Sequence, residues 1–263
     1  MTDSREPELL PPDDSSSESV KPFLEHLEDL RWMLIKMIVA LGMAMILSFF
    51  FARPLLAVIL WPLQHATQNP EAFLRTLEVT GGLNLAMKLS FYAGTIIASP
   101  FLLYFLAEFI LPALTPKEKG LIAPVLAVGV GLFFTGVALA YFLVLPAGLK
   151  WFLDYNAYLG IRSEWVIDNY VSFVSHMTLA FGLCFELPLV VLALAKLGIV
   201  TGEFLRQKRP YVVVIIFIVA GIITPTTDPL NQSLLAIPMC LLYEACIWIA
   251  WGMEKKKVRS TKE

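Results

Sequence analysis

Charge is scarce in this chain: of 263 residues only 16% are Asp, Glu, Lys or Arg, against 57% hydrophobic and a mean hydropathy of +0.71. Soluble globular domains carry about 25% charged residues, so this balance excludes a water-soluble class and points to a polytopic membrane protein. The net charge of -2 offers no global attraction for nucleic acid. Cysteine is equally sparse: Cys184, Cys240 and Cys246 all fall inside apolar runs, and their number and spacing make neither a disulfide framework nor a zinc site. They read as small hydrophobes. His26, His65 and His176 have no metal-ligand spacing, and the chain contains neither a G-x-x-x-x-G-K-[ST] phosphate loop nor a G-x-S-x-G elbow. No catalytic residue, metal or cofactor is expected. No cleavable leader is expected either. The amino-terminal residues are acidic and the first apolar run, about twenty residues long, has no small-residue cleavage site after it, so the first span is expected to stay in the mature protein.

What is present is a succession of apolar runs. Residues 1–19 mix Pro, Ser and acids with too little apolar content to offset ordering entropy, which predicts a disordered acidic tail. Directly before the first long run stands His26-Leu27-Glu28-Asp29-Leu30-Arg31. Phe23, Leu27 and Leu30 recur there at helical spacing and Pro22 suits a first turn, so the stretch predicts an interfacial helix, although the same residues also suit an ordinary solvated helix start. Residues 33–52 read as a first span, with Lys36 near enough to its start to snorkel to the headgroups. Residues 53–84, interrupted by Pro54, Pro62, Pro70 and Gly81-Gly82, predict a loop with short helical pieces on the membrane surface. The second span is read over 85–111, kinked at Pro100, and the third over 121–145, where Gly129, Gly131 and Gly136 allow close helix approach. Residues 146–169 read as an irregular loop, 170–197 as a fourth span bent by Pro188, 211–224 as a fifth and 234–251 as a sixth. The last two are short. At 1.5 Å per residue the fifth covers about 20 Å of a hydrocarbon core about 30 Å thick, so lipid is thinned there or other parts of the protein complete its ends. Residues 20–252 thus form a six-span, all-α membrane domain, followed by a basic tail over 253–263.

The cations sort by side. Arg5, Lys21, Arg31, Lys117, Lys119, Lys196, Arg206, Lys208, Arg209, Lys255, Lys256, Lys257, Arg259 and Lys262 fall on one face of the six-span layout, and Arg53, Arg75, Lys88, Lys150 and Arg162 on the other. The positive-inside rule then places both termini in the cytoplasm.

Two sets of acids ask for an explanation. Glu186 sits in the fourth span, where a charged carboxylate costs about 2.5–3.5 kcal/mol to insert. Ser172, Ser175, Thr178, Gly182 and Glu186 step by three or four residues, a small and polar stripe that must face protein or water. The structural alternative is a carboxyl hydrogen-bonded to a neighbouring span. The second set lies at the cytoplasmic rim: Asp29 just before the first span and Glu118 in the turn after the second share one membrane level. If the two spans pack together, these carboxylates suit a pair of guanidiniums; an internal salt bridge with Lys117, Lys119 or Arg31 is the alternative. His176 reads as a packed, hydrogen-bonded histidine rather than a proton relay.

In order along the chain, Phe23-Leu24-Glu25-His26-Leu27-Glu28-Asp29-Leu30-Arg31, Ser99-Pro100-Phe101-Leu102-Leu103-Tyr104, Phe109-Ile110-Leu111-Pro112-Ala113-Leu114 with Lys117-Glu118, Phe181-Gly182 with Phe185-Glu186-Leu187-Pro188, Lys208-Arg209-Pro210-Tyr211, Thr224-Pro225 with Asp228 and Gln232, and Ile237-Pro238 with Leu242-Tyr243-Glu244 resemble the signatures of the TatC family. This is the signal-recognising subunit of the twin-arginine protein translocase, and the resemblance spans about residues 22 to 252. It implies six transmembrane helices in a concave, glove-like wall in a bacterial inner membrane. It also implies proton-motive-force-driven transport of folded proteins, self-association, and single-span partners of the TatA and TatB type. Carried over, Asp29 and Glu118 would receive the two arginines of the signal peptide, with Pro100, Phe109 and Pro112 shaping the nearby span. Glu186 would be the carboxyl facing the concavity, and Thr224 and Gln232 would contact partner helices. The chain departs from the family in carrying Asp29 for the usual Glu and Ala107-Glu108 where an aromatic is common, so that Glu108 offers a third acid at the receptor site; Thr226-Thr227 lengthens the turn before Asp228. A secondary ion-coupled transporter using Glu186 is the rival reading, but it calls for inverted repeats that the two halves do not show.

Overall fold

A computed structural model of the protein describes residues 23–67, 74–110, 122–196, 200–223 and 229–260. The architecture is helical: α1 Phe23–Phe50, α2 Ala52–Ala66, α3 Gly81–Ile110, α4 Ile122–Leu139, α5 Leu145–Tyr158, α6 Ile167–Cys184, α7 Leu187–Lys196, α8 Gly202–Ile223 and α9 Pro229–Ser260. Two short strands, β1 Leu74–Arg75 and β2 Trp165–Val166, pair in parallel with Leu74 opposite Trp165 and Arg75 opposite Val166. Among the described residues five stretches are long and apolar enough to cross a membrane: Leu27–Phe50, Gly81–Phe109, Ala123–Tyr158, Ile167–Ala195 and Gln232–Gly252. Helix α8 is not one of them, because Glu203, Arg206, Lys208 and Arg209 crowd its first half and leave only the part after Pro210 apolar.

Several boundaries differ from the sequence reading. The interfacial stretch and the first span form one continuous helix, α1. The expected surface loop contains α2, a 15-residue helix that runs through Pro62. That proline leaves the carbonyl of Val58 without its i+4 donor, and the Tyr141 hydroxyl donates to it at 2.6 Å. Helix α3 begins four residues early, at Gly81, where the Thr80 carbonyl accepts from Leu83 and Asn84 N–H groups and a side chain on residue 81 would collide with Thr76 Oγ1.

The third span also outruns its predicted end. Helix α4 passes through a widened π turn, Ala140–Val144, directly into α5, and Pro146 follows immediately on that turn. Residues 146–169 are therefore helical as far as Tyr158 instead of an irregular loop. The fourth span, in contrast, is broken: α6 starts at Ile167 and stops at Cys184 and α7 starts at Leu187, so the interruption falls at Phe185-Glu186, at the end of the polar stripe and not just beyond it at Pro188. Proline acts on the turn that precedes it, because it lacks the N–H for the carbonyl of residue i−4, here Cys184, and its ring clashes with that carbonyl. Helix α9 runs past the predicted end of the sixth span and through the basic tail to Ser260. The acidic tail, residues 1–19, lies outside the described residues.

Lipid chains are as apolar as leucine, so within a bilayer close packing and polar contacts hold helices together more than apolar burial does. Glycine provides the close packing. A Cβ at Gly94 of α3 would lie 2.9 Å from the Met45 backbone of α1, one at Gly136 of α4 would meet the Phe181 carbonyl of α6 at 2.5 Å, and one at Gly182 of α6 would press on the Phe133 ring of α4. Gly131, grouped with these in the sequence reading, faces open space. The core gathers around α6, where it packs on α2, α3, α4 and α9, with Leu63, Leu89, Val171, Val174, Met177, Phe181 and Leu235 almost wholly buried. Helices α8 and α9 are tied by Tyr243 Oη donating to the Leu205 carbonyl at 2.8 Å and by an Arg209–Glu244 ion pair at 2.8 Å.

Candidate functional site

Helices α1 and α3 meet along their length, and two contacts give their sense. Lys36 of α1 touches Glu108 of α3, and nine residues further along α1 Met45 packs on Gly94, fourteen residues earlier in α3. The helices are antiparallel, so the start of α1, which carries Asp29, and the end of α3, which carries Phe109, lie at the same end of the pair. Asp29 and Phe109 are half-buried there. Glu118 and Pro112, the other residues expected at this rim, lie outside the described residues.

Lys36, read as near enough to the start of its span to snorkel, pairs with a carboxylate of the neighbouring helix. Its Nζ lies 3.1 Å from Oε1 and 3.2 Å from Oε2 of Glu108 and 5.9 Å from the centre of the Phe105 ring. Glu108, the extra acid of the sequence reading, is thus engaged by a cation of the same chain. Further along α3, Pro100 leaves the Ile96 carbonyl without a donor, and the buried Ser99 hydroxyl supplies one at 2.8 Å. The Ser-Pro pair lets the helix keep its proline at no loss of a hydrogen bond.

Glu186 occupies the gap between α6 and α7. Its backbone N–H donates to Leu183 O at 3.1 Å, and its carbonyl accepts from the Val190 N–H at 3.1 Å. The carboxylate rests on Gly129 of α4, where a Cβ would come within 3.3 Å of Oε2. Oε1 is buried and has no hydrogen-bond partner among the described residues, which departs from the structural alternative of a carboxyl bonded to a neighbouring span. The rest of the polar stripe divides: Ser172 faces α3, Ser175 Oγ is buried without a partner among the described residues, Thr178 donates to its own helix at Val174 O, and Gly182 lies against α4. Gln232, at the start of α9, donates from Nε2 to the Phe217 carbonyl of α8 at 2.7 Å, an approach that Gly221 leaves open. Thr224 lies outside the described residues.

The sequence reading missed a second polar contact, between α3 and α6. Lys88 pairs with Asp168 and reaches Ser172 Oγ at 3.3 Å. One turn on, the Tyr92 hydroxyl lies 2.9 Å from His176 Nε2, while His176 Nδ1 lies 2.8 Å from the Ser172 carbonyl. A carbonyl only accepts, so Nδ1 carries the proton in that bond and Nε2 accepts from the tyrosine. The signal was present: Lys88 and Tyr92 step by four, as do Asp168, Ser172 and His176, giving two matched ladders. Beside it, Arg75 pairs with Glu164 at 3.2 Å and fastens the β1–β2 contact. No group of three His, Cys, Asp or Glu among the described residues has the arrangement of a metal site, and all three cysteines are free thiols.

Residues 25–238 match the family model described as "Sec-independent protein translocase protein (TatC)". The Sec-independent protein translocase protein TatC of Akkermansia muciniphila is 44% identical over 201 residues, which is 76% of this chain but only 55% of that protein's length. The protein of the same name from Aquifex aeolicus is 38% identical over 237 residues, 90% of this chain and 97% of that one. Among solved structures, a crystal structure described as the twin arginine translocase receptor TatC superposes with a TM-score of 0.77 at 39% identity, covering 86% of this chain and 97% of the other.

Proposed function

The chain belongs to the TatC family of Sec-independent protein translocase proteins, and from that premise we propose that it is the component that grips twin-arginine signal peptides of folded cargo at the cytoplasmic rim of α1 and α3. It is a multi-pass membrane component of a translocase and not an enzyme. In the proposed arrangement the apolar part of α8 completes six spans in a concave, glove-like wall, with both termini on the cytoplasmic side of a bacterial inner membrane. Residues 20–252 form that membrane domain, with 1–19 an acidic tail ahead of it and 253–263 a basic cytoplasmic one. Asp29 and Glu118 take the two guanidiniums, each able to accept a bidentate contact, and Pro100, Phe109 and Pro112 set the shape of α3 beside them.

The observation that supports this best is the antiparallel seating of α1 on α3, which brings Asp29 to the end of the pair from which the chain leads on to Glu118. A second supports the docking of partners. Glu186 Oε1 is a buried acceptor without a partner among the described residues, and such an atom at membrane depth suits a donor brought in by another helix. We assign Glu186, Thr224 and Gln232 to contacts with TatA- and TatB-type single-span proteins in a larger, self-associated complex driven by the proton motive force. Glu118→Lys puts repulsion where attraction is needed. Photocrosslinking of a twin-arginine cargo to position 29 in that variant is expected to vanish, and crosslinking at the unmodified level would refute the assignment.

A further inference from the structure

The Lys36–Glu108 pair is out of place as a purely structural contact. It joins two spans, yet the two side chains keep 46% and 43% of their exposure, so the carboxylate is held and still open to competition. Lys36 lies seven residues after Asp29 on α1, two turns and about 10 Å along the same face, and Glu108 directly precedes Phe109. Resting on the receptor reading above, we infer that Glu108 is a third acid of the signal-peptide site and that Lys36 is its resident counter-cation, displaced when a guanidinium arrives.

The chemistry gives this device a purpose. An ammonium is a point charge whose Nζ here divides itself between both oxygens of Glu108 at 3.1 and 3.2 Å. A guanidinium can offer two parallel N–H donors, one to each oxygen, so an incoming arginine gains a better-directed contact than the one it breaks. An incoming lysine merely exchanges one ammonium for another, and it competes with a tethered rival present at high effective concentration. Lys36 therefore makes discrimination between arginine and lysine larger than bare carboxylates could: it penalises the wrong cation by occupying the site with its equal. The freed Lys36 ammonium stays beside the Phe105 ring, whose face offers a weaker resting place.

The test uses the full chain in nanodiscs and two synthetic leader peptides, identical but for adjacent arginines in one and lysines in the other. The unmodified protein should prefer the arginine peptide. Lys36→Met should bind the lysine peptide more tightly and narrow the preference by about tenfold, the scale of one charge-assisted bond. Lys36→Arg, which keeps the ion pair and hence the packing, should instead weaken binding of the arginine peptide. An unmodified preference that persists in both variants would overturn the role given to Lys36 while leaving the receptor reading intact. Failure of the unmodified protein to bind the arginine peptide would overturn both.

Discussion

Proline inside a helix leaves one carbonyl without a donor, and at Pro62 and Pro100 of this molecule a hydroxyl group fills that place. Ser99 serves Ile96 below Pro100 from within the same helix, and Tyr141 serves Val58 below Pro62 from another element. The two cases differ in consequence, because the second makes a helix depend on its neighbour. Tyr141→Phe should cost about 0.5–1.5 kcal/mol, the net worth of an intramolecular hydrogen bond, as read by unfolding in mild detergent. In a Pro62→Ala background, where the residue 62 N–H can serve Val58, the same change should cost markedly less. Equal costs in the two backgrounds would show that the hydroxyl has no such task. The ion pairs belong to the same scale: Lys36 with Glu108 and Lys88 with Asp168 join residues more than seventy positions apart, and a single sequence gives no means of matching such partners in advance.

At the scale of elements, the spans were legible wherever an apolar run was long enough to leave no alternative, as in α1, α3 and α4. The ends were not, because each proline and glycine was weighed as it would be in water. In lipid a broken backbone bond must be made good inside the protein, so Pro62 and Pro146 are absorbed into helices, and Pro188 breaks its span upstream at Glu186. The candidate acids on the described helices were legible as types out of place in apolar runs, whereas their partners depend on how helices pack. Glycine spacing was a half-reliable guide to that packing. Gly136 meets the Phe181 backbone while Gly131, five residues away on the same helix, meets nothing. Gly136→Ala is accordingly expected to force α4 from α6 and cost about 1–3 kcal/mol, an overpacking penalty. Gly131→Ala should be neutral or slightly stabilising through its better helix propensity. Thermal unfolding of the two variants side by side reads the difference, and similar losses in both would contradict the α4–α6 contact.

At the scale of the whole molecule, the chain is a set of long apolar helices whose polar cross-links gather at particular levels: Lys36 with Glu108 near the start of α1, Arg209 with Glu244 between α8 and α9, and Lys88, Tyr92, Asp168 and His176 between α3 and α6. The parallel β1–β2 contact and its Arg75–Glu164 pair join the segment after α2 to the segment after α5, which braces the end of the molecule opposite to Asp29. That arrangement fits the proposed receptor, which would hold a leader peptide at the Asp29 end without chemistry of its own. The most direct measurement of that claim starts from a chain whose three native cysteines are replaced and in which Asp29 and Glu118 become Cys. Both new thiols should react with a membrane-impermeant maleimide only from the cytoplasmic side, and a short bismaleimide should bridge them within one molecule. Labelling from opposite sides, or from the same side with no bridging, would contradict a shared receptor site.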